Sequence, residues 1–309
     1  MYNIYFLILH YKSLIDTQKC IKSILALHGD FTKEIFLIDN GSNDNSLDVL
    51  QELYAGNKLI TILSLKTNLG FSAGNNFGYK HIIDYNIPDF LVVTNSDIVF
   101  RQNDFGNLLI SIYVNNRFDI LGPDIYAYKF GIHQSPISTQ MPSESDIKTE
   151  IRNAKIRKDK LEQQQKRTDS ILEKSLQVIR NSLFIRFYNN RKLKTKVNYR
   201  IPHKQACLNG ACLIFSKDYM QRFDSLFHPE TFLYYEEQLL YLKAIKHNME
   251  INYDPNLKVY HAIEASTTYN FRSYLQKKLF QCYHLINSGN ILLKELQKYN
   301  ISNQHKAED

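Results

Sequence analysis

Polar side chains follow three short apolar segments in the first part of the sequence. His10 and Tyr11 follow the first segment, Asp39 ends the second, and Asp97 follows the fourth. Ligands of open α/β sheets bind at the edge where parallel strands end, so these side chains are candidates for a ligand site. A carboxylate at such an edge can hold a metal ion that binds phosphate, or it can cap the following helix. For Asp97 both interpretations are open at this point.

The segments that must position these side chains have the composition of buried strands. Short, mainly apolar runs occupy residues 4–9, 34–39, 60–65 and 90–94, and their length favours a strand over a helix. Between them apolar residues recur with helical spacing, as in residues 14–27. Strands that alternate with helices predict βαβ units, and therefore an α/β fold with a mainly parallel sheet.

The second half of the sequence contains further acidic candidates. Residues 209–215 have strand character, and residues 230–237 contain an aromatic run that ends in Glu236 and Glu237 before a predicted helix. Acids at a helix start are favoured by the helix dipole, so a purely structural role for this pair is also open.

A histidine follows the last predicted strands. Two short strands, residues 251–253 and 258–260, are expected on either side of Pro255, and His261 comes directly after the second. Residues 271–296 have the spacing of a C-terminal helix.

Positive charge is concentrated in one segment. Residues 143–200 contain 16 Lys and Arg against 7 Asp and Glu, a net charge of +9, whereas the rest of the chain carries −2. Within it, residues 147–187 are predicted to be helical, with an apolar stripe formed by Leu172, Leu176, Ile179, Leu183 and Phe187. An apolar stripe beside unopposed cations is typical of a helix in a membrane interface and favours an anionic partner. A helical insertion packed on the main domain is an equal alternative.

Composition excludes several other classes of protein. The four cysteines show no C-x-x-C spacing, so neither a zinc site nor a disulfide framework is indicated. No apolar run reaches the roughly 18 residues that span a bilayer, and no basic leader precedes the first strand. The sequence therefore predicts a cytoplasmic protein.

Six motifs together carry a family resemblance. In chain order they are FLIDNGSNDNS (36–46), NLGFSAGNNFG (68–78), VVTNSD (92–97), LNGACLIF (208–215), ETFLYYEE (230–237) and YHAIEAST (260–267). They resemble the family-2 inverting glycosyltransferases of the GT-A fold, in particular the bacterial rhamnosyltransferase-like and capsular-polysaccharide branch. The resemblance covers nearly the whole chain outside residues 126–204.

The resemblance implies a donor site for a nucleoside-diphosphate sugar. Asp39 would contact the nucleotide base, and the loop with Asn68, Gly70 and Asn75 would pass beneath the nucleotide. Asp97 and His261 would hold a divalent cation, Mg²⁺ or Mn²⁺, that bridges the diphosphate.

Other residues complete the site that the resemblance implies. His10, Tyr11 and Asn95 would belong to the same nucleotide-sugar site. Asn95 stands where many members have the first Asp of a D-x-D motif, which leaves Asp97 as the single acid of that motif.

Glu237 matches the acid that acts as general base in the family. It would take the proton of an acceptor hydroxyl as that hydroxyl attacks the anomeric carbon opposite the diphosphate, which inverts the configuration. Glu237 stands where the family most often has Asp, and the neighbouring Glu236 leaves the assignment open by one residue. Leu239 replaces a second acid that is usual shortly afterwards.

Two alternatives belong to other classes of protein. Residues 70–74 form a literal G-x-S-x-G, the nucleophile elbow of a serine α/β-hydrolase with Ser72 as the nucleophile. The other alternative is a non-catalytic glycosyltransferase-like module that binds membrane or RNA through its basic segment.

The expected organisation has four parts. Residues 1–125 form the nucleotide-sugar-binding half of the GT-A domain, 126–204 the basic helical insertion, 205–268 the acceptor and catalytic half, and 269–309 a helical tail. The expected partners are a UDP- or dTDP-linked hexose or deoxyhexose donor, a saccharide or lipid-linked saccharide acceptor, and an anionic membrane surface through residues 143–200. No nucleic acid is expected. Synthesis of capsule or O antigen at the inner face of the cell membrane would be the setting.

Overall fold

The computed structural model describes residues 1–167, 195, 197–263 and 274–308. The strands within these ranges are β1 (Tyr2–His10), β2 (Phe31–Asp39), β3 (Ile60–Ser64), β4 (Phe90–Asn95), β5 (Ile98–Val99), β6 (Ile120–Ala127), β7 (Ile132–His133), β8 (Cys212–Ser216) and β9 (Ile251–His261). The helices are α1 (Leu14–Leu25), α2 (Ser46–Leu53), α3 (Gly70–Tyr85), α4 (Phe105–Asn115), α5 (Glu144–Arg167), α6 (Lys217–Arg222), α7 (Glu236–Lys246) and α8 (Tyr274–Glu308).

The strands form one mixed sheet in the order β3-β2-β1-β4-β8-β6-β9-β5, with β7 paired to β6. The first four strands in this order are parallel, and β6 pairs with β9 in parallel. Because β8 is antiparallel to both β4 and β6, these two strands point the same way. The carboxyl ends of β1, β2, β4, β6 and β9 therefore lie at one edge of the sheet. The predicted α/β fold with a mainly parallel sheet is confirmed.

Helices cover both faces of the sheet because alternate side chains of each strand point to opposite faces. Ile4, Phe6 and Ile8 pack with side chains of α1 and α4, whereas Tyr5 and Leu7 pack with side chains of α3, α6 and α7. Full burial of each such side chain contributes about 1.5–3 kcal/mol. The two faces thus hold the strand ends in a fixed arrangement.

A third apolar cluster joins α5, α7 and α8. Its buried members are Ile147 and Ile151 of α5, Leu239 and Leu242 of α7, and Leu292 and Leu296 of α8. Leu239, the residue that replaces a usual acid, is thus part of a helix–helix contact.

Two local expectations are corrected. The small-residue loop expected after Asn68 is already helical from Gly70. The two short strands expected around Pro255 are one strand, β9, because the residues that include Pro255 bulge out opposite Pro123 and Asp124. Such a bulge accommodates proline, which has no N–H for the ladder.

The helical insertion is described in part. Residues 144–167 form α5, as predicted, and the apolar stripe from Leu172 to Phe187 lies outside the described residues. No helix in the described ranges is both long and apolar enough to cross a bilayer. The division into four parts stays a prediction.

Candidate active site

His10 and Asp39 lie side by side at the ends of β1 and β2. His10 is fully buried, and its Nδ1 and Nε2 atoms lie 2.7 Å from Thr17 Oγ1 and 2.9 Å from Ser46 Oγ. Burial lowers the pKa of His10, although the carboxylate of Asp39 opposes this shift. Asp39 accepts hydrogen bonds from the backbone N–H and hydroxyl of Ser42. The structure thus places His10 in the interior, with its Nε2 atom 3.9 Å from Asp39 Oδ1.

Tyr11 and Asn95 lie at the same edge of the sheet. Tyr11 is half-buried, and the ammonium group of Lys12 lies 5.4 Å from its ring centroid. Asn95 ends β4, and its backbone N–H donates to the carbonyl of Ala211 at 2.9 Å. Both predicted residues are therefore close to the carboxyl ends of β1 and β4.

Asn40 holds the loop that precedes α3. Its Nδ2 donates to Asn68 Oδ1 at 3.1 Å and to the carbonyl of Gly70 at 3.0 Å, while its Oδ1 accepts the N–H of Leu69 at 3.0 Å. Asn68 Oδ1 also accepts the N–H of Gly70 at 2.8 Å. From sequence, Asn40 is only a turn residue before Gly41, and no signal in the motif predicts this role.

Gly70 is required where this loop meets residues 230–235. Its φ is +82°, and a Cβ atom there would lie 2.5 Å from the carbonyl oxygen of Phe232. The N–H of Phe71 donates to the same carbonyl at 2.9 Å. The close approach that glycine permits here is therefore to the protein's own backbone.

Asn75 lies inside α3, in the protein interior. It is 1% exposed, its Nδ2 donates to the carbonyl of Phe71 at 2.9 Å, and its Oδ1 has no hydrogen-bond partner among the described residues. Of the three residues predicted in this loop, Asn68 and Gly70 form the turn itself, and Asn75 packs behind it.

Asp97 and His261 face each other across β5 and β9. Asp97 lies in the turn between β4 and β5, so it does not cap a helix, and its Oδ2 is 3.2 Å from His261 Nε2. The Nδ1–H of His261 donates to Gln134 Oε1 at 2.7 Å, which directs Nε2 toward the carboxylate. Gln134 was missed because residues 126–142 carry no recognisable pattern.

The Asp97–His261 pair fits a divalent cation. Adjacent ligands of an octahedral ion with bonds of about 2.1 Å lie about 3 Å apart, close to the 3.2 Å separation of the two atoms. The side chains are 15% and 13% exposed, so both are accessible. No third His, Cys, Asp or Glu joins them in the described part of the chain. Two protein ligands leave positions for water and phosphate oxygens, which Mg²⁺ favours.

Glu236 and Glu237 begin α7. Glu237 is partly accessible, and its Oε1 accepts the N–H of Gly210 at 3.3 Å. Glu236 is 5% exposed, and its Oε1 has no hydrogen-bond partner among the described residues. Burial raises the pKa of both carboxyl groups, and the charge of Glu237 raises the pKa of Glu236 further. A carboxyl group with a raised pKa is suited to proton transfer near neutral pH.

A continuous set of contacts connects the two groups of residues. His261 bonds to the Gln134 side chain, the Gln134 carbonyl accepts Asn209 Nδ2 at 3.4 Å, and Gly210 follows directly and contacts Glu237. These contacts therefore link the carboxylate–histidine pair to Glu237 of the acidic pair in α7. Asn209 belongs to the LNGACLIF motif, but its contact with Gln134 has no sequence signal.

The raised pKa values of Glu236 and Glu237 predict a specific pH dependence of stability. The unfolded chain loses these protons near the ordinary pKa of 4.5, whereas the native state keeps them to higher pH. The free energy of unfolding should therefore fall as pH rises through the raised pKa values, by up to about 1.4 kcal/mol per pH unit for one proton. Glu236→Gln cannot ionise and should flatten this slope in urea titrations from pH 5 to pH 9. An unchanged slope would contradict the assignment.

Ser72 does not have the environment of a nucleophile. It is fully buried in the first turn of α3, and its hydroxyl lies 2.7 Å from Thr231 Oγ1. A nucleophile elbow instead exposes its serine on a sharp turn between a strand and a helix. The serine-hydrolase alternative is therefore excluded.

The fold and the site together define a class of protein. A mixed, mainly parallel sheet with a carboxylate–histidine pair and a further acid at one edge is the arrangement implied by the GT-A resemblance. Residues 7–212, two-thirds of the chain, match the family described as "Glycosyl transferase family 2". The chain belongs to this family, and the predicted resemblance to the family-2 glycosyltransferases is confirmed.

Solved structures share the fold at low sequence identity. S. aureus TarS 1-349 matches with a TM-score of 0.51 and 14% identity over 92% of this chain and 70% of that chain. The same protein in complex with UDP-GlcNAc matches with 0.51 and 13% over 92% and 72%. The mannosyltransferase PcManGT from Pyrobaculum calidifontis, in complex with GDP-Man and Mn²⁺, matches with 0.51 and 10% over 94% and 72%. No curated protein gives a significant match.

Proposed function

We propose that this family member transfers a sugar, with inversion, from a nucleoside-diphosphate sugar to a saccharide or lipid-linked saccharide in cell-surface polysaccharide synthesis. The observation that carries the proposal is the continuous path from the Asp97–His261 pair through Gln134 to Glu237. A non-catalytic module would have no use for a partly accessible acid linked in this way to a carboxylate–histidine pair, so this arrangement favours the enzyme.

Glu237 is the proposed general base. Its carboxylate removes the proton from the attacking acceptor hydroxyl, and the N–H of Gly210 fixes the orientation of Oε1. Attack from the face opposite the diphosphate inverts the anomeric carbon in a single displacement, so a second acid is unnecessary. Glu236, one residue earlier, is the alternative base, and its burial behind the surface favours Glu237.

Asp97 and His261 are the proposed cation ligands. A bound Mg²⁺ or Mn²⁺ would supply neutralisation of the charge that develops on the departing diphosphate. Gln134 fixes the orientation of the His261 ring, as hydrogen-bonded partners of metal-binding histidines commonly do. The complex of PcManGT with GDP-Man and Mn²⁺ supports this choice of cation.

Asp39 and the loop held by Asn40 are the proposed donor site. Asp39 would accept an N–H group of a uracil or thymine base, which favours a UDP- or dTDP-linked hexose or deoxyhexose. Asn68 and Gly70 would lie beneath the nucleotide, with Tyr11 and Asn95 at its sides. The complex of TarS with UDP-GlcNAc supports a uridine nucleotide.

The proposed location is the inner face of a bacterial cell membrane, where residues 143–200 contact anionic lipid. Support comes from the net charge of +9 in this segment. Within its described part, α5 exposes Arg152, Lys155 and Arg157. A lipid-linked acceptor would be reached from the same surface.

A panel of nucleotides tests the proposed donor site. A ligand that binds only the native state raises its apparent stability by RT ln(1 + [L]/Kd), about 2.7 kcal/mol at 100 times Kd. We expect UDP or dTDP and one of their sugar conjugates to raise Tm more with Mn²⁺ than without it. Incubation of that conjugate with saccharide acceptors, followed by NMR of the product, should show an inverted anomeric configuration. A retained configuration, or no nucleotide that raises Tm, would contradict the proposal.

A further inference from the structure

The segment before α7 has an unusual backbone. Tyr234 and Tyr235 have φ angles of +74° and +65°, and they are the only two consecutive non-glycine residues with positive φ in the described ranges. This conformation is costly for a side chain with a Cβ atom, so it persists only where the surroundings impose it. Glu236 and Glu237 follow immediately, and the direction in which they enter the site depends on this backbone.

Helix α8 holds the first half of this segment. Ser288 is 1% exposed, and its hydroxyl donates to the carbonyl of Leu233 at 2.7 Å. The ring of His284 stacks on Phe232, with 4.4 Å between the centroids. The carbonyl of Phe232 contacts Gly70 and Phe71. Helix α8 therefore contacts the segment that packs against the loop before α3.

Helix α5 holds the second half. The hydroxyl of Tyr235 donates to Glu150 Oε2 at 2.7 Å. At Gly289 of α8, a Cβ atom would lie 2.9 Å from Ile151 and 3.1 Å from the ring of Tyr235. The glycine therefore allows α5, α8 and the Tyr235 ring to meet at one point.

The same two helices also hold α7 itself. Ile147 and Ile151 of α5, with Leu292 and Leu296 of α8, pack against Leu239 and Leu242 of α7 in the third apolar cluster. Helices α5 and α8 thus contact both the segment before the acidic pair and α7, the helix that the pair begins.

We propose that the α5–α8 helix pair positions Glu237, with Tyr235 and Ser288 as the positioning residues. This inference rests on the proposed role of Glu237 as base. A misplacement of about 1 Å far from the reacting atoms can lower a rate about 100-fold. Contacts that impose a strained backbone directly before the base therefore set the rate without touching substrate.

Paired variants test the Tyr235–Glu150 contact. Tyr235→Phe removes only the hydroxyl and Glu150→Ala removes its acceptor, and each should lower kcat about threefold to tenfold with little change in the donor KM. Glu150→Gln retains an oxygen that accepts the same hydrogen bond and should restore most of the rate. The double variant Tyr235→Phe/Glu150→Ala should be no slower than the slower single variant, because both substitutions remove the same Tyr235–Glu150 hydrogen bond.

Ser288→Ala tests the buried contact. It leaves the Leu233 carbonyl without its hydroxyl donor and should lower kcat about tenfold or more when assayed well below Tm. Nucleotide binding, measured calorimetrically, should remain as in the unmodified chain.

Glu295→Ala is the matched control. Lys246 Nζ and Glu295 Oε2 lie 2.9 Å apart and join α7 to α8 at the far end of α7 from Glu237. This variant should lower Tm while kcat stays unchanged. An equal loss of kcat in Glu295→Ala, or full activity in Tyr235→Phe, Glu150→Ala and Ser288→Ala, would overturn the inference.

Failure of the inference is distinguishable from failure of the proposed function. If Glu237→Gln and Glu236→Gln both remain active, the proposed base is wrong whatever the positioning variants do. If Glu237→Gln is inactive while the positioning variants keep full kcat, only the positioning role is wrong.

Discussion

Replacement of Glu237 by Gln is expected to lower kcat by about 10²–10⁴, the usual contribution of general acid–base catalysis. The amide keeps the size of the side chain and an oxygen for the N–H of Gly210, which lies 3.3 Å from Oε1. It cannot take a proton at neutral pH. Donor binding should therefore persist, and the loss should appear in kcat in a transfer assay with saturating donor.

Glu236→Gln is the control for this result. The two glutamates are adjacent and have the same side chain, but Glu236 is 5% exposed whereas Glu237 is partly accessible. Glu236→Gln should keep most of the activity and remove a buried ionisable group. If Glu236→Gln alone stops transfer, the base is Glu236. Activity that survives in both variants would contradict acid–base catalysis from α7.

The acidic residues and the histidine at strand ends could be predicted from sequence, because the apolar runs that position them are their neighbours in the sequence. Asp39 ends a short apolar run and Asp97 follows one, and that pattern directly indicates the carboxyl end of a buried strand. His261 was placed in the same way, although the preceding strand proved continuous through a bulge. What sequence could not decide was the role of each residue, since capping and metal binding use the same carboxylate.

Other residues of the site depend on contacts between distant parts of the chain. Gln134 orients His261, which is 127 positions away, and Asn40 holds the loop at Asn68 and Gly70, about 30 positions away. A single Gln in an irregular segment carries no periodic signal. Such residues become identifiable only when the sheet order places their strands or loops together.

Sequence patterns also could not predict that α5 and α8 pack against α7 and the segment before it. The C-terminal helix was predicted from its apolar spacing, but spacing does not reveal which face contacts Phe232 and Leu233. The left-handed backbone at Tyr234 and Tyr235 opposes the intrinsic preference of tyrosine. Tertiary contacts override local propensity there, next to the proposed base, which is where strained backbone is expected to concentrate.

Replacement of Asp97 by Asn is expected to abolish the Mn²⁺-dependent part of nucleoside-diphosphate binding. The amide is similar in shape but lacks the negative charge that a hard divalent cation requires. Thermal shifts with the diphosphate that the panel identifies should become the same with and without Mn²⁺. Transfer should fall at least about 100-fold, since charge on the leaving diphosphate would no longer be neutralised.

Two further variants test whether the loss of the Mn²⁺ response is specific to the Asp97–His261 pair. His261→Ala should weaken the Mn²⁺ response in the same direction, because its Nε2 lies 3.2 Å from Asp97 Oδ2. Asp84→Asn changes an exposed carboxylate that pairs with Lys80 on α3, and it should leave the Mn²⁺ response unchanged. A full Mn²⁺ response in Asp97→Asn would show that the cation binds elsewhere. The Asp97–His261 contact would then only connect the β4–β5 turn to the end of β9.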